Sequence, residues 1–66
     1  MYQSKKDKEL ILQFSQIRKE KNISLGKASQ VTGIDKGNIS NIEKMKISAS
    51  RRNLEKMAYF SYKRGQ

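Results

Sequence analysis

The side chains that could do chemistry in this sequence are amides and cations concentrated between Gly33 and Lys44, a stretch that reads Gly-Ile-Asp-Lys-Gly-Asn-Ile-Ser-Asn-Ile-Glu-Lys. If the stretch is helical, Ile39 and Ile42 share one face, because residues three apart are neighbours on a helix. The remaining surface then carries small, amide-bearing or cationic side chains and no acid: Lys36, Gly37, Asn38, Ser40, Asn41 and Lys44. Such a surface suits hydrogen bonding to base edges and phosphates. It also fits an ordinary amphipathic helix with a solvated polar side, so the stretch alone leaves both interpretations open.

The composition lacks the usual catalytic and metal-binding groups. The 66 residues include no histidine and no cysteine, which excludes a disulfide scaffold and a zinc site of the Cys/His type. The six acidic residues are scattered, and Lys36-Gly37-Asn38 is not a phosphate-binding glycine loop. We therefore expect no enzymatic activity, no cofactor, no metal and no small-molecule ligand.

The charge is strongly positive. Fifteen Lys and Arg residues against six Asp and Glu residues give a net charge of +9 and a sequence pI near 10.1. A field of this sign attracts DNA, RNA or an anionic membrane surface. No apolar run approaches the roughly 20 residues that span a bilayer, and the start of the chain lacks the apolar segment of a signal peptide. We expect a cytoplasmic protein.

Apolar residues recur with a period near 3.6, which predicts an all-α domain, a compact bundle of four to five short helices containing a helix-turn-helix. The predicted helices cover residues 7–21, 25–32, 36–44 and 51–62. The single domain spans residues 1–66, with a possible flexible basic arm at 1–6 and a loose tail at 63–66. As an arm, Lys5, Lys6 and Lys8 could reach DNA; the alternative is a first helical turn.

Local signals mark the ends of the predicted helices. Ser24, Asp35 and Ser50 are candidate N-caps, because their side-chain oxygens can accept from free N–H groups of the first turn. Gly33 can adopt the left-handed conformation of a tight turn between two helices. In the second helix we expect Leu25, Ala28 and either Val31 or Thr32 to point inward. In the fourth we expect one stripe: Leu54, Met57, Ala58 and Ser61.

The spacing of small and aliphatic residues outlines a helix-turn-helix. Ser29 is the small residue at which the second helix crosses closely, and Gly33 follows four positions later. Ile39, six positions further on, and Ile42 would anchor the second helix of the motif. Together with the caps, these positions favour a helix face that contacts DNA bases over one that is merely solvated.

The chain resembles the Cro/C1-type (lambda-repressor-like, XRE) helix-turn-helix domains over about residues 12–60. The residues that carry the resemblance lie at 17–24, 28–35 and 39–44, and it continues through Ser50 and Leu54 to 57–58. The resemblance implies that helix 36–44 lies in the major groove and that Arg18 pairs with Glu43. The residues expected near bases are Lys36, Gly37, Asn38, Ser40 and Asn41. Those expected at phosphates are Ser24, Lys44, Lys46, Arg51 and Arg52.

Several positions depart from the family pattern. Gly37 removes a side chain from a position that usually contacts bases. Leu25 replaces a polar residue, often Gln, at the start of the second helix, and Met45 stands where a Gly usually closes the third. Ser29 replaces a commoner Ala, and Ala49 a common Pro.

Our main interpretation is a transcriptional regulator, repressor-like, that binds double-stranded DNA sequence-specifically. Since most relatives dimerise, we expect a homodimer on an inverted repeat. Tyr59, Phe60 and Tyr62 are the possible dimer contact; alternatively they close the core against the first helix. The alternative function is a protein-interaction or accessory module of the same fold, antitoxin- or coactivator-like, with weak DNA binding. Non-specific RNA binding is a third possibility, against which the aromatics have core-like spacing.

Overall fold

Four helices follow one another along the computed structural model, which describes residues 4–63. They are α1 (Lys5–Glu20), α2 (Leu25–Thr32), α3 (Lys36–Glu43) and α4 (Arg51–Lys63). The predicted all-α fold class is confirmed, with four helices in the described residues. Three residues separate α2 from α3, whereas seven separate α3 from α4.

Four helix ends differ from the prediction by one or two residues: α1 ends at Glu20 and α3 at Glu43, each one residue early, and the start of α1 and the end of α4 also shift. Helix α1 begins at Lys5, two residues early, because the Ser4 hydroxyl accepts the Asp7 N–H at 3.1 Å and caps the helix there. Lys5 and Lys6 are therefore in the first helical turn and not in an arm. Helix α4 continues to Lys63, the first residue of the predicted tail. The remainder of the arm, 1–3, and of the tail, 64–66, lies outside the described residues.

The turns form where the local signals predicted them. The Oγ atoms of Ser24 and Ser50 each accept a first-turn N–H at 3.1 Å, from Lys27 and from Asn53. Gly33 ends α2 with a left-handed φ of 77° and donates its N–H to the Ser29 carbonyl at 2.8 Å. A side chain is strained at that φ, so glycine permits the short connection into α3.

The core lies between α1 and α4, with α3 packed on α1 and α2, and α2 on α4. Its centre is the pair Phe14 and Phe60, whose ring centroids are 4.7 Å apart at a tilt of 50°. Thr32, and not Val31, points inward from α2; its hydroxyl donates to the Ala28 carbonyl at 2.8 Å. The buried apolar residues are Ile11, Phe14, Ala28, Ile34, Ile39, Ile42, Ala49, Leu54, Met57 and Phe60.

The burial of Phe60 corrects one expectation. Phe60 is 1% exposed, so it closes the core against α1 and offers no surface to a second copy. Tyr59 and Tyr62, at 64% and 81% exposed, do lie on the surface. The rotation of α4 about its own axis decides which of the three aromatic side chains is buried, because only Phe60 faces Phe14 on α1.

Candidate nucleic-acid interface

Helix α3 is held by its two isoleucines and presents its polar residues outward. Ile39 and Ile42 are fully buried. Three of the residues predicted at bases, Lys36, Gly37 and Asn38, are exposed, and the other two, Ser40 and Asn41, are half-buried. The structure therefore brings all five onto one short helix whose opposite side is fixed in the core.

The first turn of α3 is capped by Asp35. One carboxylate oxygen, Oδ2, accepts the N–H of Gly37 at 2.9 Å and that of Asn38 at 3.4 Å. A Cβ atom added at Gly37 would lie 3.0 Å from the same oxygen. A residue with a side chain would therefore push the capping carboxylate by a few tenths of an ångström. The glycine at this position lets the carboxylate lie directly against the helix backbone.

The last turn of α3 closes in a Schellman motif in which Met45 takes the position usually occupied by glycine. The Lys46 N–H donates to the Asn41 carbonyl at 2.9 Å, and the Met45 N–H donates to that of Ile42 at 3.0 Å. Met45 has a φ of 62°, which is unfavourable for a side chain. The turn forms without glycine and sets Lys46 beside the end of α3.

The residues predicted at phosphates come from three segments and are all exposed. Ser24 precedes α2, Lys44 and Lys46 follow α3, and Arg51 and Arg52 open α4. The Ser24 oxygen accepts from the Lys27 N–H, which leaves its hydroxyl proton available to a phosphate. Between positions 36 and 52 the chain carries five cations and only one acid, Glu43. This concentrates positive potential around α3.

Arg18 ties these segments together. Its Nε donates to Glu43 Oε2 at 2.8 Å and its Nη2 to Oε1 at 2.9 Å. Its Nη1 donates to the Ile23 carbonyl at 2.9 Å. Ser24 follows Ile23 and Lys44 follows Glu43. The Arg18 guanidinium therefore fixes the relative position of two residues that are predicted to contact phosphates, one before α2 and one after α3.

The same contacts set the protonation of Arg18. The hydrogen bonds accepted by Glu43 raise the pKa of the guanidinium, burial lowers it, and the Glu43 charge raises it further, with a net rise. Because the folded-state pKa is raised, the contribution to stability is fully present at neutral pH. It is lost only as the pH rises through that pKa in strongly alkaline solution. Glu43, the acid beside the residues predicted to contact phosphates, is therefore a structural group paired with Arg18.

Two features of the interface were not predicted. Met45 and Ile47 are each 43% exposed and alternate with Lys44 and Lys46 in the loop after α3. The alternation is visible in the sequence, but the exposure follows from the loop conformation. The second feature is the hydrogen bond from Arg18 to the Ile23 carbonyl. The sequence does not predict it, because any carbonyl in the α1–α2 turn could have accepted this bond.

Residues 4–63 contain neither a cluster of metal-ligating side chains nor a helix that could span a membrane. No three acidic side chains in this range lie together as metal ligands would. None of the four helices has the length and apolar content needed to span a membrane.

One comparison with known proteins gives a match. A model of the helix-turn-helix family matches residues 14–58, which include α2, the turn at Gly33 and α3. No curated protein and no solved structure is similar enough to the chain to count as a match. The helix-turn-helix is a DNA-binding motif, so the match supports binding to double-stranded DNA.

Proposed function

Because the chain belongs to the Cro/C1-type helix-turn-helix family, we propose that it is a transcriptional regulator that binds double-stranded DNA sequence-specifically. Helix α3 enters the major groove and reads base edges. The flanking segments neutralise the phosphates on either side. The role is binding and not catalysis, and it is exercised in the cytoplasm. We class it with repressors because occupying an operator requires only binding.

The observation that carries this proposal is the composition of the exposed side of α3. Lys36, Asn38 and Asn41 lie on a helix whose other side is buried through Ile39 and Ile42. A lysine suits the O6 and N7 acceptors of guanine, and an asparagine suits N6 and N7 of adenine. Each such contact discriminates against a wrong base by about 1–3 kcal/mol. The absence of acidic side chains from this side favours contact with DNA, because an acid there would repel the phosphates.

The length of α3 favours a pair of copies on an inverted repeat. Its eight residues span about 12 Å, enough for a few base pairs only. Two copies with their α3 helices one DNA turn apart, about 34 Å, would read two half-sites. The cationic residues on both sides of α3 would give each copy a firm contact with the backbone.

Selection of binding sites from random duplex DNA at about 150 mM salt tests the proposal. We expect a palindromic consensus with two equal half-sites. Affinity for that consensus should exceed affinity for a scrambled duplex by at least about 10³-fold. Recovery of no motif, or equal binding to any duplex, contradicts sequence-specific regulation. Tighter binding to single-stranded RNA of random sequence would instead favour the RNA alternative.

The accessory-module alternative has one observation of its own. A shallow recess between α2 and α4, outside α3, combines apolar side chains with charges of both signs. It is lined by Val31, Thr32, Arg52, Glu55, Lys56 and Tyr59. If selection yields no motif, this is the surface on which a protein partner should be sought, and variants at Val31 and Tyr59 separate the two functions.

A further inference from the structure

Helices α1, α2 and α3 are each followed, within two residues, by a residue with a left-handed backbone. The φ angles are 56° at Asn22 after α1, 77° at Gly33 after α2 and 62° at Met45 after α3. Glycine adopts this conformation without strain and asparagine tolerates it, whereas the Cβ atom of a methionine lies too close to the carbonyl oxygen that follows. Met45 is therefore the residue least suited to its backbone among these three helix ends.

The turn after α3 does not use the Met45 side chain. Its two hydrogen bonds, from the Lys46 N–H to the Asn41 carbonyl at 2.9 Å and from the Met45 N–H to the Ile42 carbonyl at 3.0 Å, join backbone atoms only. The turn around Asn22 is built from the same pair of backbone bonds. Glycine at position 45 would keep both bonds and remove the strain, so the turn itself gives no reason for a side chain there.

The Met45 side chain also lies outside the core. It is 43% exposed, and the core cluster of residues 4–63 does not include it. Exposure of one apolar side chain needs no explanation, since such residues are common on protein surfaces. Strain does need one, because strained residues cluster at sites where the side chain or the backbone has a function. Met45 is thus a candidate for a contact that forms only when the chain is bound to a partner.

The neighbours of Met45 indicate what it contacts. Lys44 and Lys46, on either side of it, are exposed and are proposed to bind phosphates. The Lys46 bond to the Asn41 carbonyl sets this loop beside the end of α3 that is proposed to contact bases. A DNA strand has the matching order, because a sugar whose carbon atoms offer apolar surface lies between each two phosphates. Cation, apolar group and cation in the loop thus correspond to phosphate, sugar and phosphate in the strand.

We propose that Met45 packs on the deoxyribose between the two phosphates that Lys44 and Lys46 bind, and makes the interface selective for deoxyribose over ribose at that nucleotide. The unbranched, flexible thioether side chain adapts to an irregular apolar surface of this kind. Ribose carries a 2′-hydroxyl, which the apolar contact would withdraw from water without a hydrogen-bond partner. The inference deepens the proposed function and rests on it for the binding of duplex DNA.

A sugar contact differs from a base contact and from a phosphate contact in what its loss changes. Every nucleotide has a sugar, so loss of the Met45 side chain should weaken binding to any duplex alike, whereas loss of a base contact affects the preferred sequence most. Met45 carries no charge, so its loss should leave the salt slope unchanged, whereas loss of Lys46 should reduce it. Uniform weakening without a change in salt slope is the combination that identifies the contact.

The first measurement titrates the full chain with a selected and a scrambled DNA duplex at several salt concentrations. Met45→Gly should weaken binding to both duplexes about threefold to tenfold per bound copy. Met45→Leu keeps the apolar bulk and should keep most of the affinity. Asn22→Gly, at the equivalent position after α1, is the matched control for the change to glycine and should bind as the wild type does. Circular dichroism of each variant separates weaker binding from loss of the fold.

The second measurement replaces deoxyribose with ribose, one nucleotide at a time, along each strand of the selected half-site. The wild type should lose affinity at least about threefold at one nucleotide in excess of its neighbours. Met45→Gly should show no such excess there, so the two changes are coupled in a double-mutant cycle. Riboses at the other positions alter the duplex without touching Met45, and they should affect both proteins equally.

Three results would overturn the sugar contact. A lower salt slope for Met45→Gly would assign the position to a phosphate, and a loss confined to the selected duplex would assign it to a base. Equal ribose penalties in the wild type and Met45→Gly at every nucleotide would show that no sugar is recognised. Failure to select a motif would contradict sequence-specific regulation but not this inference, because the scrambled duplex still reports on Met45. Unchanged affinity of Met45→Gly for that duplex would then overturn the inference.

Discussion

Arg18 and Glu43, 25 residues apart, meet through two parallel hydrogen bonds of 2.8 and 2.9 Å. The pair joins the last turn of α1 to the last residue of α3, and the bond from Arg18 to the Ile23 carbonyl extends it to the α1–α2 turn. Both side chains are largely buried. A largely buried pair of this kind fixes the relative position of segments more than it adds stability.

Replacing Glu43 with glutamine should destabilise the fold. Glu43→Gln leaves the Arg18 guanidinium partly buried without its counter-charge, and we expect the free energy of unfolding to fall by about 1–3 kcal/mol. Urea denaturation followed by circular dichroism at neutral pH measures it. Glu20→Gln is the matched control, because Glu20 is exposed and accepts a long bond of 3.4 Å from Gln16. Equal loss in the two variants would show that the Arg18 pair has no special role.

Met45→Gly should stabilise the protein. Relief of the left-handed strain at Met45 outweighs the extra freedom that glycine gives the unfolded chain, for a net gain of about 0.5–1 kcal/mol. Asn22, at a φ of 56° in the equivalent turn after α1, is the control, because asparagine tolerates this conformation and Asn22→Gly should gain less. A lower melting temperature for Met45→Gly would mean that the exposed Met45 side chain makes a stabilising contact.

The parts of the fold that were predicted correctly depend on short-range signals. Ser24, Gly33, Asp35 and Ser50 act within three or four residues of their own positions, so their residue types suffice to place the helix ends. The exception at the start of α1 is also local. Ser4 and Asp7 can each cap a helix, and only the observed bond between them shows which one does.

The parts that were not predicted depend on how the helices pack. Tyr59, Phe60 and Tyr62 are alike in the sequence, and only the rotation of α4 that brings Phe60 onto Phe14 separates a core residue from two surface ones. The polar and cationic side chains on the outer side of α3 could be predicted from the sequence of that helix alone, because they follow from the positions of Ile39 and Ile42. The left-handed conformation of Met45 arises from the loop after α3, which residue types do not specify.

Gly37→Ala should be nearly neutral for stability in the wild-type chain. Alanine favours a helix over glycine by about 0.8–1 kcal/mol, but its Cβ would crowd the Asp35 carboxylate. In an Asp35→Ser background, which keeps a cap but removes that carboxylate, Gly37→Ala should stabilise by about 0.5–1 kcal/mol. Urea titrations of the four proteins give the coupling between the two sites. Equal effects of Gly37→Ala in both backgrounds would exclude the proposed crowding.

Asn41→Ala and Lys46→Ala should affect DNA binding in different ways. Asn41 is proposed to read a base, so its loss should cost about 1–3 kcal/mol on the preferred sequence and relax one position of the half-site. Lys46 is proposed to contact a phosphate, so its loss should weaken binding to every duplex alike and reduce the salt slope by about one unit per copy. Both substitutions keep the Schellman motif, because its bond joins the backbone atoms of these two residues.

Lys63→Ala is the charge-matched control for Lys46→Ala. Lys63 ends α4, about 18 Å along the helix from Arg51, and lies beyond the roughly 8 Å over which salt screens charges at physiological ionic strength. Titrations of a selected and a scrambled duplex at several salt concentrations should leave Lys63→Ala close to wild type. If Lys63→Ala lowers the salt slope as much as Lys46→Ala, or if Asn41→Ala weakens both duplexes equally, α3 does not read the sequence in the way proposed.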